Sequence, residues 1–118
     1  MEEALRERFL TALDTALANA DPENVQSEDH GGFVNRWTGA RSGRYVIDFS
    51  RADRGDGPRT GWFRVRRLAD GYEASLTALN SGHLDYHSKL ADEIPDLAAF
   101  VAETERFAAR LDASPAVR

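Results

Sequence analysis

Cysteine is absent from this 118-residue sequence, which removes disulfides, thiolate nucleophiles and thiolate zinc sites together. Any metal would have to be held by His, Asp and Glu alone. Lysine is nearly absent as well, Lys89 being the exception among fifteen basic residues. Arginine in place of lysine suits planar, bidentate capture of anions, but the ratio by itself is equally the signature of a GC-rich genome. Long hydrophobic runs are missing too. The longest, Leu97 to Ala102, falls well short of the roughly 18 apolar residues of a membrane span. The opening Met1-Glu2-Glu3-Ala4 is acidic where a signal peptide needs positive charge, so a cytoplasmic location is expected. A Gly-rich phosphate loop with its lysine is lacking, no Ser stands in a nucleophile-elbow pattern, and the carboxylates are too scattered to nominate an acid–base pair. No catalytic residue, cofactor or metal is predicted.

What the chain does have is charge, unevenly placed. Nine of the fifteen basic residues lie between Arg36 and Arg67, opposed there only by Asp48, Asp53 and Asp56. That window carries +6 and the flanks carry −11, summing to the net −5. Codon usage does not explain the clustering. A basic segment between acidic ones can meet an acidic partner or the chain's own flanks. With 42 % apolar and 30 % charged residues, the composition fits one folded domain over residues 1–113, with a frayed tail at 114–118.

Leu5, Phe9, Ala12, Leu13, Ala16 and Leu17 recur every three or four residues, predicting an amphipathic helix from Glu2 to Asn19. Residues 21–32 show no useful period and read as a polar connection. Five strand candidates follow, at 33–38, 44–51, 60–68, 72–79 and 83–90, the last of which competes with a helix start. Turn chemistry separates them: Gly39 to Gly43, Asp53 to Pro58, Asp70-Gly71 and Asn80-Ser81-Gly82. Leu97, Phe100, Val101, Thr104, Phe107, Ala108 and Leu111 then predict a second helix with Pro95 near its start. The class is α+β: an N-terminal helix, an antiparallel meander of four to five strands and a C-terminal helix, both helices packed on one sheet face. In architecture, though in no motif, this order with its acidic charge resembles small secretion chaperones and bacterial immunity proteins.

Alternation along the strands sorts the side chains. Tyr45, Ile47, Phe49, Phe63, Val65, Tyr72, Ala74, Leu76, Ala78, Leu84, Tyr86 and Leu90 are assigned to the buried face. Trp62, Arg64 and Arg66 occupy alternate positions on the other face, with Arg44 beside them and Arg36 or Arg59 nearby. An indole among guanidinium groups is a platform for anions; the plain alternative is a solvated face on which Arg64 and Arg66 pair with Asp48 or Glu73.

His83, Asp85 and His87 share one side of a strand, but three collinear donors make a poor metal set, so they are not assigned as ligands. Arg54-Gly55-Asp56 spells an adhesion tripeptide and reads as an ordinary charged loop. The leading expectation is a non-catalytic interaction domain of adaptor, chaperone or inhibitor type. It would hold an acidic protein segment on Trp62, Arg64, Arg66 and Arg44. A second copy of the chain is the other candidate partner, the acidic flanks meeting the basic window reciprocally. The net negative charge argues against nucleic acid, and nothing calls for a membrane. The rival expectation is a small-molecule-binding or enzymatic domain, with a pocket between the sheet and the N-terminal helix lined by Tyr45, Tyr72 and Tyr86.

Overall fold

In the computed structural model, which describes residues 2–31, 33–53 and 59–111, the apolar stripe of the first segment becomes helix α1 (Glu2–Asn19). It buries Phe9, Leu10, Ala12, Leu13, Ala16 and Leu17. Glu2 and Glu3 stand in its first turn, where negative charge complements the helix dipole. A single 3-10 turn at Pro22–Asn24 follows, capped by Asp21, whose side chain accepts from the Glu23 N–H.

Six strands then form one antiparallel sheet in sequence order: β1 (Gln26–Asp29), β2 (Val34–Ser42), β3 (Tyr45–Asp53), β4 (Thr60–Arg67), β5 (Glu73–Ala78) and β6 (Leu84–Ser88). The sheet has one strand more than expected. Strand β1 comes from the stretch read as a polar connection, because Gln-Ser-Glu-Asp has no apolar side chain to reveal alternation and all four residues are exposed. Backbone pairing to β2, from Gln26 opposite Trp37 to Asp29 opposite Val34, holds it in place. Strand β2 also runs through Gly39, which was expected to begin a turn. The chain reverses instead at Gly43-Arg44, between the paired residues Ser42 and Tyr45, with Gly43 at φ +58°, a conformation that costs a glycine nothing.

The hairpin at Asp70-Gly71 forms as expected. Gly71 takes φ +76°, and Asp70 contributes its side chain, which accepts from the Tyr72 N–H at 3.1 Å. Tyr72 itself, expected in the core, is 52 % exposed. It precedes β5 in the turn, beyond the ring contacts made by the second helix. Residues 84–88 are strand, not helix.

Helix α2 (Leu97–Arg110) begins at Asp96, whose side chain caps the Ala99 N–H at 2.8 Å, and Pro95 precedes that cap. Phe100, Val101, Thr104, Phe107 and Ala108 are buried. Both helices lie on one face of the sheet, and Phe63 is central to the contact: its ring lies 6.2 Å from Phe49, 5.9 Å from Phe100 and 5.8 Å from Phe107. Burying such side chains stabilises the fold by roughly 1.5–3 kcal/mol each before entropy. The helices touch each other through Arg8 and Glu105, 2.6 Å apart, and through Asn19 Nδ2, which donates to the Ala108 carbonyl at 3.0 Å. Arg6, buried on α1, donates to the carbonyls of His83 and Arg59. No helix among the described residues is long and apolar enough to cross a membrane. The expected tail at 114–118 and the Arg54-Gly55-Asp56 tripeptide lie outside the described residues.

Candidate protein-interaction face

Because each strand alternates, the face away from the helices is written by the register. Its first row, nearest the Gly43-Arg44 turn, reads Arg41, Val46, Arg66, Glu73 and continues to Lys89, whose N–H bonds the Glu73 carbonyl. The second reads Gly39, Asp48, Arg64, Ser75, His87, and the third Gln26, Trp37, Ser50, Trp62, Thr77, Asp85. Ile47, Phe49, Phe63, Val65, Ala74 and Leu76 point the other way and are almost fully buried.

Trp62 is half-buried and Arg64 and Arg66 are exposed on this face, so alternation brought these three together as expected. Their surroundings differ. Arg64 Nη2 donates to Asp48 Oδ2 at 2.9 Å, and its guanidinium lies 5.8 Å from the Trp62 ring centroid. The Asp48 hydrogen bond, the largest influence, raises the Arg64 pKa above its ordinary value. Among the described residues Arg66 makes no ion pair, although Glu73 stands opposite it. Arg41, overlooked in the sequence, donates to the Gly43 carbonyl at 3.5 Å.

Arg44 is not part of this face. It turns back to Glu93, ahead of α2, and its guanidinium lies 5.5 Å from the Tyr45 ring centroid. Arg67 joins the same cluster, pairing with Asp70 at 2.7 Å, Asp92 at 2.9 Å and Glu93. Arg67, the largest influence on both, holds the Asp70 and Glu93 carboxyls below the usual carboxylate range. Arg51 and Arg59 are likewise taken up on the helix side. Arg51 donates to Asp14 at 2.8 Å, and Arg59 pairs with Glu7 and, at 3.7 Å, with Asp14. Arg36 alternates with the open-face residues of β2 and so belongs to the helix side, where it is exposed. The acidic flanks thus neutralise much of the basic window internally, leaving Arg41 and Arg66 as open-face arginines without a carboxylate partner among the described residues.

Trp37 is the other residue the sequence reading missed. It and Trp62 flank Ser50 in one row, two strand spacings or about 9–10 Å apart at Cα. Ser50 between them is 4 % exposed, and its hydroxyl bonds Asn35 Oδ1 at 2.8 Å. Beside the indoles lies a cleft of about 530 Å³ bounded by Trp37, Trp62, Gly39, Asp48, Arg64, Glu23, Asn24 and Gln26. The alternate positions Asn35, Trp37, Gly39 and Arg41 carry the signal for this surface, which is hidden once Gly39 is taken as a turn.

The other expected constellations disperse. Tyr45 packs edge-on to Phe107 at 6.0 Å and Tyr86 to Phe100 at 5.5 Å, both against α2, while Tyr72 lies exposed near Arg67. The three tyrosines line no common pocket against α1. His87 pairs with Asp85 at 3.1 Å and His83 with Glu2 at 3.6 Å on the β6 edge. Among the described residues no group of three or more His, Asp and Glu is placed to hold a metal. No protein-family model matches the sequence, and neither any curated protein nor any solved structure matches it.

Proposed function

We propose that this chain is a non-catalytic interaction domain that holds an acidic protein segment on its open sheet face. The observation that carries the reading is a pair of exposed guanidiniums, Arg41 and Arg66, without a carboxylate partner among the described residues, on the same helix-free sheet face as two half-buried indoles. Around the first two rows, Arg41, Arg64, Arg66 and Lys89 outnumber Asp48 and Glu73, a local excess of +2 in a chain of net −5. Guanidiniums match carboxylates bidentately, and indoles are frequent anchors of protein contacts.

A separate acidic chain suits this surface better than a second copy. Four flank carboxylates, Glu7, Asp14, Asp92 and Glu93, already pair with this chain's own arginines, which leaves fewer to reciprocate in a symmetric dimer. Nucleic acid is disfavoured by the net charge. Adaptor, chaperone and inhibitor roles all use such a face, and a cytoplasmic setting agrees with the absence of cysteine.

The test is co-purification of partners from the native cell with wild type and with an Arg41→Glu/Arg66→Glu variant. The expected result is loss of the partner with an unchanged melting temperature. Undiminished co-purification would refute the reading.

A further inference from the structure

The cationic row and the tryptophan row are a fixed distance apart, and that distance limits what an occupant looks like. Val46, between Arg41 and Arg66, is four residues along β3 from Ser50, between Trp37 and Trp62. At roughly 3.3 Å per residue the two rows are about 13 Å apart. An extended segment laid along the strands covers that distance in four residues, and its residues at i, i+2 and i+4 all face the sheet.

We infer that this face selects an extended segment with a carboxylate side chain at one position and a large apolar side chain four residues away, the carboxylate seated between Arg41 and Arg66 and the apolar group against the Trp37 and Trp62 rings. The inference rests on the reading of the face as a docking surface for acidic segments, and it adds the spacing and the second anchor. Charge complementarity argues for the first anchor, because among the described residues neither Arg41 nor Arg66 is paired with a carboxylate, Arg41 donating to the Gly43 carbonyl. The indoles argue for the second. Trp37 and Trp62 are half-buried, lie in one row and offer ring faces to a large apolar side chain, while the cleft beside them is lined mainly by polar groups, Glu23, Asn24, Gln26, Asp48 and Arg64.

The middle residue of the segment would pass over Gly39 and the Asp48–Arg64 pair. A third carboxylate there would face Asp48, so a small or hydroxylated side chain fits that position. The rest of the face favours an extended occupant over a helical one. Apolar side chains on these rows are confined to Val46, Trp37 and Trp62, too few for the broad apolar stripe on which a helix packs. Gln26, Asn35, Ser75 and Thr77 offer hydrogen bonds to an extended backbone instead.

The chain has two tryptophans and both are in this row, so intrinsic fluorescence reports occupancy directly. The probes are capped peptides of Ser and Gly carrying one Glu and one Leu, either four residues apart or, in the same composition, adjacent or seven apart, together with poly-glutamate. The four-residue spacing is expected to bind at least tenfold more tightly than the other two. Replacing its Glu by Gln and introducing Arg66→Glu should each remove that advantage, and their combination should cost no more than either alone.

Trp37→Phe, with folding checked by circular dichroism, should weaken discrimination for Leu over Ala and leave the Glu dependence intact. Equal binding of all spacings, with poly-glutamate also bound, would overturn the inference and leave the acidic-segment reading standing. Absence of any response, including to poly-glutamate, would overturn both.

Discussion

At Gly61 an added Cβ would sit 2.6 Å from Leu13 Cδ1 and 2.6 Å from the Ser50 carbonyl oxygen. A neighbouring backbone atom cannot swing aside, so Gly61→Ala is expected to destabilise by about 1–3 kcal/mol, read from the urea midpoint. Gly39→Ala should cost less, since its nearest obstacle, Asp48 Oδ1 at 2.8 Å, is the end of a side chain. A second sensitive point is Arg51, whose side chain is 6 % exposed beside Asp14. Asp14→Ala leaves that guanidinium, among the described residues, with the carbonyls of Ala52 and Thr60, an expected loss of about 1–3 kcal/mol. The double change Asp14→Ala/Arg51→Met should recover part of it, because no buried charge then lacks a partner. Alternation alone located Ile47, Phe49, Phe63 and Val65 in the core and Trp62, Arg64 and Arg66 outside it. Which carboxylate each arginine chooses is a matter of rotamer and register across strands, and Arg44 was misplaced for that reason.

Elements with an apolar period were legible and those without one were not. Helices α1 and α2 each present an apolar side chain every third or fourth residue, so their limits could be read directly. Strand β1 could not be, since only hydrogen bonding to β2 makes Gln26–Asp29 a strand. The end of β2 was obscured because Gly39 serves as a gap opposite Asp48 and not as a turn. One latch between elements makes a prediction about acid. Arg67, at the end of β4, ties the β4–β5 turn through Asp70 to the segment before α2 through Asp92 and Glu93. Because Asp70 and Glu93 have depressed folded-state values, their contribution is present above their ordinary values of 3.8 and 4.5. It is lost as the pH falls below that range through the folded values. An Arg67→Met protein should therefore be less stable than wild type at neutral pH, the difference shrinking progressively below about pH 4.5. Urea titrations at stepped pH check this, and carboxyl NMR should show both residues titrating at higher pH in the variant.

Across the whole molecule, charge pairing and layer order act together. Acidic groups of α1 and of the segment before α2 meet arginines on one side of the sheet, and Arg41, Arg64, Arg66 and Lys89 face outward on the other. Arg41→Ala/Arg66→Ala should shift unfolding free energy by no more than about 0.5 kcal/mol, as expected for exposed residues with no ion pair among the described residues. The same change should remove most of the salt dependence of partner association, measured by titration at stepped ionic strength. The order of elements also has a consequence for synthesis. Each strand pairs with its sequence neighbour, so the sheet can zip together as it emerges from the ribosome. The first helix waits for the last: Arg8 meets Glu105 across 97 positions. A chain that stalls before Leu97 would leave Phe63, Tyr45 and Tyr86 without the Phe100 and Phe107 rings that close over them, an adhesive nascent layer in need of holding until translation is finished.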